Sequence, residues 1–315
     1  MKGLTDIPGI RVGHVSDFQA ITGCTAILCT QGAVGGVDIR GSASGTEETP
    51  VLDPGHVTGV VHGILLAGGS AFGLEAASGV RRYLERQGVG FDTGVAKVPL
   101  VPAAILYDLA IGKHDVRPTA AMGEAAAAAA TADAVKEGSV GAGTGATVGK
   151  VLGMRCAMKS GVGSYTVTLA NGVMVSSLAV VNAFGDVRDP ADGKILAGAR
   201  RAPGGSEFID TQEQMKRSEP QGFAVRNTTL VVVATNVKLN KVEATKLAQQ
   251  GGLGMARTIY PVNTMFDGDI VFALSIGDHH MGIDVLGVAA AEAVAQSIVR
   301  AVKLAKGLGG VPGLG

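Results

Sequence analysis

Tryptophan is absent from the 315 residues, and aromatic side chains make up 4% of them. A core built without them must come from aliphatic and small side chains. Cysteine is scarce too. Cys24, Cys29 and Cys156 are too few for a disulfide framework and show no paired metal-ligand spacing, which points to a reducing compartment. Net charge is lacking, at +0. That argues against nucleic acid or an acidic membrane surface as the main partner. The N-terminus MKGLTDIPGIRVGHVSD has no apolar h-region, so no signal peptide is expected. No apolar run reaches membrane-spanning length without a charge. A cytoplasmic protein that does not engage membranes is the expectation.

What is present favours a large packed core. Hydrophobic residues make up 46% of the chain and charged residues 17%, a balance that argues against disorder. The 48 glycines suggest close element packing and many tight loops. Short strands are read at Ile10–Val15 and Ala26–Cys29. Val60–Leu66 is a strand or a buried helix. Gly68-Gly69-Ser70-Ala71-Phe72-Gly73 leads into a helix from about Leu74 to Gln87, with Ser70 as N-cap. The hydrolase elbow G-x-S-x-G fails there, because Phe72 stands where its last glycine should be. An alanine-rich helix is predicted over Met122–Lys136. A hairpin turning at Asn171-Gly172 joins Tyr165–Leu169 to Val173–Val181. Asn240 with Glu243 marks a helix start, Asp284–Lys306 reads as a long amphipathic helix, and the tail 307–315 as loose.

The informative stretch is Asn227-Thr228-Thr229-Leu230-Val231-Val232-Val233. A polar segment, about 198–226, precedes a run of β-branched residues that reads as a buried strand. Thr228 stands at the junction. Cleavage before it would leave a hydroxyl nucleophile and an α-amine base on one residue; an ordinary strand start is the alternative. Lys150 ends the run Gly141-Ala142-Gly143-Thr144-Gly145-Ala146-Thr147-Val148-Gly149. The run fails the Walker pattern at Thr144 and Val151. Lys150 is thus either a lysine at the rim of a site, fixing a carboxylate or oxyanion, or a solvated surface lysine. Asn182, at a strand end, is an oxyanion donor or a turn residue. Tyr107 is a core tyrosine whose hydroxyl needs a partner. Asp267 and Asp269, two apart, face one way in extended geometry and repel unless a cation sits between them; a surface turn is the plainer reading.

Seven blocks together resemble the family of DmpA-type L-aminopeptidase/D-esterases, which includes β-peptidyl aminopeptidases and nylon-oligomer hydrolases. They are Thr5-Asp6-Ile7-Pro8-Gly9-Ile10-Arg11-Val12-Gly13-His14, Val37-Asp38-Ile39-Arg40-Gly41, Gly68 to Leu74, Val101 to Asp108, Ala179-Val180-Val181-Asn182, Asn227-Thr228-Thr229 and Asp267-Gly268-Asp269. The resemblance covers nearly the whole chain. It implies an α/β, four-layer αββα sandwich of the N-terminal-nucleophile hydrolase kind. It implies self-cleavage between Asn227 and Thr228, giving chains 1–227 and 228–315, with Thr228 as nucleophile. Asn182 and Tyr107 match positions near the oxyanion or substrate. Lys150 and the pair Asp267 and Asp269 match the nylon-hydrolase branch, and the acidic pair departs from the β-aminopeptidases. The expected substrate is a small peptide or oligoamide, including linear ω-amino-acid oligoamides. No metal or organic cofactor is expected, and processed units are expected to form a homo-oligomer. A non-catalytic binding protein on the same fold is the alternative from another class.

Overall fold

The computed structural model describes residues 2–217 and 227–315. Part of the polar segment before Asn227, residues 218–226, lies outside the described residues. Nine strands carry the architecture: β1 (Arg11–Asp17), β2 (Thr22–Ile39), β3 (Thr46–Glu47), β4 (Val61–Ala67), β5 (Ala103–Ile105), β6 (Val162–Thr168), β7 (Met174–Asn182), β8 (Thr228–Val237) and β9 (Ile270–His279). Their spatial order is β6-β7-β8-β9-β2-β4-β5-β3, with β1 beside β2. The 18-residue β2 is shared between two sheets. Its first half pairs with β1 and β4, and its second half with β9.

The two sheets pack face to face. Ile27, Ile64, Leu66 and Ala104 from one meet Leu178, Val180, Leu230, Val232 and Phe272 from the other. The helices α1 (Glu75–Arg86) and α2 (Ala120–Ala128) cover the outer face of the first sheet through Val80, Leu84, Ala126 and Ala127. A short helix, α3 (Thr211–Arg217), lies on the approach to Asn227. The helices α4 (Lys241–Ala256) and α5 (Ile283–Lys303) cover the second sheet through Leu247, Met255, Leu286, Val294 and Ile298. Helix, sheet, sheet, helix gives the expected αββα sandwich.

This explains why 230–234 is apolar without alternation. Leu230, Val232 and Ala234 enter the inter-sheet core, while Val231 and Val233 enter the helix-facing core. A strand buried on both faces reads as a continuous hydrophobic run. Each buried leucine or valine there contributes about 1.5–3 kcal/mol by leaving water.

β8 pairs antiparallel with β7 and parallel with β9. A parallel pair needs a crossover, and α4 supplies it. Its capping box is complete: Glu243 N–H donates to Asn240 Oδ1 at 3.0 Å, and Asn240 N–H donates to Glu243 Oε2 at 2.9 Å. The hairpin at Asn171-Gly172 forms as expected, with φ of 58° and 72°, the positive values a tight hairpin turn requires.

Three local expectations are corrected. The alanine helix stops at Ala128. Thr131 exchanges both backbone hydrogen bonds with Val12 of β1, and this tertiary capture overrides helix propensity. Ser70 makes no capping bond; it sits at φ 54° in a 3₁₀ turn, Ser70–Leu74, that follows Gly69. The C-terminal tail is packed: Pro312 O accepts from Lys159 N–H at 2.8 Å, and Gly315 N–H donates to Ala305 O at 2.9 Å.

Candidate active site

The site forms at one end of three adjacent strands. β7 ends at Asn182, β8 begins at Thr228, and these two residues are register partners. Three residues before the first β8–β9 ladder pair, Leu230 with Ile270, an isolated parallel bridge joins Asn227 and Asp267. Asn227 N–H donates to Phe266 O at 2.9 Å, and Gly268 N–H donates to Asn227 O at 2.7 Å. That same carbonyl oxygen accepts from the Thr228 hydroxyl at 2.5 Å. The bond preceding Thr228 is therefore held by a backbone donor on one side and a hydroxyl on the other. Asn227 and Thr228 are both buried.

Gly268 has no room for a side chain. A Cβ there would meet Ala43 O at 2.6 Å and the Thr228 hydroxyl at 2.8 Å. Residues 40–43, from the polar loop after β2, press the acidic turn into place: Arg40 and Gly41 N–H donate to Asp269 O, and Ala43 N–H donates to Asp267 O.

The two aspartates are buried, not surface turn residues. Asp267 Oδ1 accepts from Phe184 N–H at 3.2 Å, and Oδ2 from the Thr264 backbone and hydroxyl. Asp269 Oδ1 accepts from Thr229 N–H at 2.6 Å, and Oδ2 from Asn263 N–H at 3.0 Å. Backbone donors thus hold each carboxylate, and the Lys150 charge favours ionised Asp267. Burial nonetheless raises the pKa of Asp267. Burial, then the charge of Asp267, pushes Asp269 up to about 7.

Lys150 is buried at 4% exposure, so the solvated-lysine reading falls. Its Nζ donates to Asn182 O at 3.0 Å and Asn182 Oδ1 at 2.7 Å. Burial lowers its pKa to about 7, although Asp267 pulls the other way. Asn182 Oδ1 also accepts from Thr147, through its N–H at 3.0 Å and its hydroxyl at 3.4 Å. Asn182 Nδ2 donates to Tyr107 O at 3.0 Å. Tyr107 therefore joins the cluster through its main-chain carbonyl, where the sequence pointed to its hydroxyl. One of the two Asn182 amide hydrogens is engaged by Tyr107.

Thr228, Asp267, Asp269, Asn182, Lys150 and Tyr107 are thus linked in one connected cluster with Asn227. Sequence reasoning passed over three neighbours. Gly268 was visible in Asp-Gly-Asp but carried no side-chain signal. Asp108, adjacent to Tyr107, is buried, with Thr22 and Gly69 as donors, and burial raises its pKa to about 6. Lys159 is buried with no motif to announce it, and burial lowers its pKa to about 7.

Comparison with known proteins places this geometry. The model of "Peptidase family S58" matches residues 2–314. An uncharacterised aminopeptidase of Mycobacterium tuberculosis is 41% identical over 99% of this chain and 96% of its own. The 6-aminohexanoate-oligomer endohydrolase of a Kocuria species is 35% identical over 86% of this chain and 74% of its own. Among solved structures, an L-aminopeptidase D-Ala-esterase/amidase from Ochrobactrum anthropi, described as a variant of the Ntn hydrolase fold, superposes with a TM-score of 0.72. It is 21% identical, and the match covers 99% of this chain and 88% of that one. A Burkholderia β-aminopeptidase gives 0.69 at 23% identity, covering 100% and 91%. The chain is an amide hydrolase with the fold of the Ntn hydrolases and belongs to peptidase family S58.

Proposed function

We propose that the chain cuts itself between Asn227 and Thr228 and that the freed Thr228 then hydrolyses small peptides or oligoamides. The observation that carries this reading is the Asn227 carbonyl, held at once by Gly268 N–H at 2.7 Å and by the Thr228 hydroxyl at 2.5 Å. A nucleophile already against its carbonyl, with a fixed donor on the oxygen, needs little reorganisation to react.

In self-cleavage, Thr228 Oγ1 bonds to the Asn227 carbonyl carbon and gives up its proton. Lys150, bonded to the residue opposite Thr228, is the base: burial brings its amine into the neutral range. Negative charge develops on Asn227 O, facing Gly268 N–H. The C–N bond breaks, the Thr228 nitrogen takes a proton, and the acyl group rests on Oγ1 as an ester. Water opens the ester, leaving a carboxylate on Asn227 and a free α-amine on Thr228.

In the processed site the α-amine takes the hydroxyl proton as a substrate amide is attacked. A free α-amine titrates near ~7.7–8, suited to this task at neutral pH. Asp267 and Asp269 hold that amine by charge. Gly268 N–H and the second Asn182 amide hydrogen stabilise the oxyanion. No step calls on a metal or organic cofactor.

Two substrate classes fit, the N-terminal residue of a short peptide and a linear ω-amino-acid oligoamide. The 41% relative supports the first and the 35% relative the second. Processed units assemble as a homo-oligomer in this reading. Intact-mass measurement under denaturing conditions, with N-terminal sequencing, tests the core of it. Two chains, the shorter beginning Thr-Thr-Leu-Val, are expected; a single uncut and inactive chain overturns it.

A further inference from the structure

We propose that Lys159 is a positioning residue for the amide-hydrolysing site, acting on Asn182 and Lys150 through the turn that ends at Thr147. The proposal rests on the reading of Thr228 as nucleophile.

Lys159 is among the largest fully buried side chains of the described residues, at 0% exposure. Its Nζ donates to Ala146 O at 2.6 Å, Ser160 O at 3.0 Å and Gly143 O at 3.5 Å. Its backbone is the ladder partner of Thr147. One residue thus holds Ala146 by its side chain and pairs with Thr147 by its main chain. Thr147 in turn donates twice to Asn182 Oδ1, and Lys150, three residues on, donates to the same oxygen. Asn182 faces Thr228 across the ladder. The path from Lys159 to the nucleophile is short and made of hydrogen bonds.

The other end of Asn182 leads to the opposite charge. Its Nδ2 donates to Tyr107 O, and the next residue is Asp108. Asp108 packs on the Lys159-held turn, because a Cβ on Gly145 would come within 2.5 Å of Asp108 Cβ. Of the two segments that grip the Asn182 amide, one runs on into Asp108 and the other is held by Lys159, and the two charges interact through the core. A lysine buried for packing alone would be replaceable by an apolar chain. Here that replacement strips a donor from three carbonyls and removes a positive charge that favours ionised Asp108.

The pair also sets the field on Lys150. The charged groups facing it are Asp267 and Asp269 from the acidic turn, Asp108 from the segment after β5, and Lys159. The carboxylates favour protonated Lys150, and Lys159 opposes it. Removing the Lys159 charge raises the pKa of Lys150; removing the Asp108 charge lowers it.

The test compares wild type with Lys159→Met and Asp108→Asn. Self-cleavage is timed by intact mass over a pH series, and the processed enzymes are assayed on alanine p-nitroanilide and a linear 6-aminohexanoate oligomer. Lys159→Met should slow self-cleavage and lower kcat by up to about 100-fold with KM within about twofold, since a misplaced catalytic group costs on that scale. The acid limb of the self-cleavage profile should move to higher pH in Lys159→Met and to lower pH in Asp108→Asn. A residue serving stability alone gives no such opposed shifts. If Lys159→Met does not fold, Lys159→Gln, which keeps a donor and removes the charge, carries the test, and an unmoved acid limb in it removes the proposal. A cut, active wild type whose variants keep its kcat and its limb removes this proposal alone. An uncut, inactive wild type removes the Thr228 reading and this proposal with it.

Discussion

Lys150 Nζ grips Asn182 twice, through the main-chain carbonyl at 3.0 Å and the side-chain Oδ1 at 2.7 Å. A neutral amine has two N–H groups and one lone pair. Both contacts survive deprotonation, so the third position on Nζ changes from donor to acceptor without loss of the grip. With its pKa lowered to about 7 by burial, that change falls at neutral pH. Arginine keeps a cation there and cannot offer the lone pair. Lys150→Arg should therefore retain Asn182 contacts and cut itself at least about 100-fold more slowly, in the range expected for loss of a general base. Timed intact mass, with a thermal melt to confirm folding, reads this out. Wild-type cutting by the arginine variant would exclude Lys150 as the base.

Thr228 supplies the second prediction. Thr228→Ala should give a single full-length chain without activity, because the attacking oxygen is gone. Thr228→Ser should still cut, since the hydroxyl and its backbone setting are kept. Two-chain material from the alanine variant would take the nucleophile role away from Thr228.

Asn182→Ala tests the amide as a hub. Truncation leaves Tyr107 O and Thr147 N–H without these partners and takes one of the two contacts of the Lys150 amine. Each such loss costs about 1–3 kcal/mol in a buried setting, so the melting temperature should fall. In the processed enzyme, kcat should fall far more than KM changes. A KM effect alone would assign Asn182 to substrate binding.

How much of this was legible in the chain depends on which physical signal carried it. The strand at Thr228 was readable because a β-branched run has few other fates. The cap at Asn240 was readable because its partner, Glu243, is local. The site residues other than Lys150 lie on matched blocks, and the fold joins them through contacts as distant as Asn182 with Tyr107. The burial of Lys150 and Lys159 was not readable: the oxygens that solvate Lys150 belong to the distant Asn182, and those around Lys159 come from turns the pattern leaves undefined. Helix length after Ala128 failed for a similar reason: Val12, more than a hundred residues away, decides where that helix stops. Gly268 acts through its backbone and its lack of a side chain, a property that periodicity does not report.

The buried lysines also predict an unusual stability profile, best measured on uncut Thr228→Ala. Lys150 and Lys159 release their protons near 7 when folded, against an ordinary value of 10.5. Between those values the unfolded chain binds more protons, so stability rises with pH. The buried acids act in the opposite sense and lower down. Asp108 and Asp186 are raised to about 6, and Asp269 to about 7, all mainly by burial. Their stabilisation is present in acid and is lost as pH climbs to neutrality. His14, lowered by burial to about 4 from 6.5, partly offsets that loss. Cys24 and Cys29, raised by burial from 9.0 to about 12, begin to subtract stability only above their unfolded value. From about pH 7.5 to 9 the lysines therefore dominate. The melting temperature should climb by a few degrees across that window, and adding Lys159→Met should remove roughly half of the slope. A flat or falling profile would mean that both lysines stay charged in the folded chain, and Lys150 could not then serve as the base for cutting before Thr228.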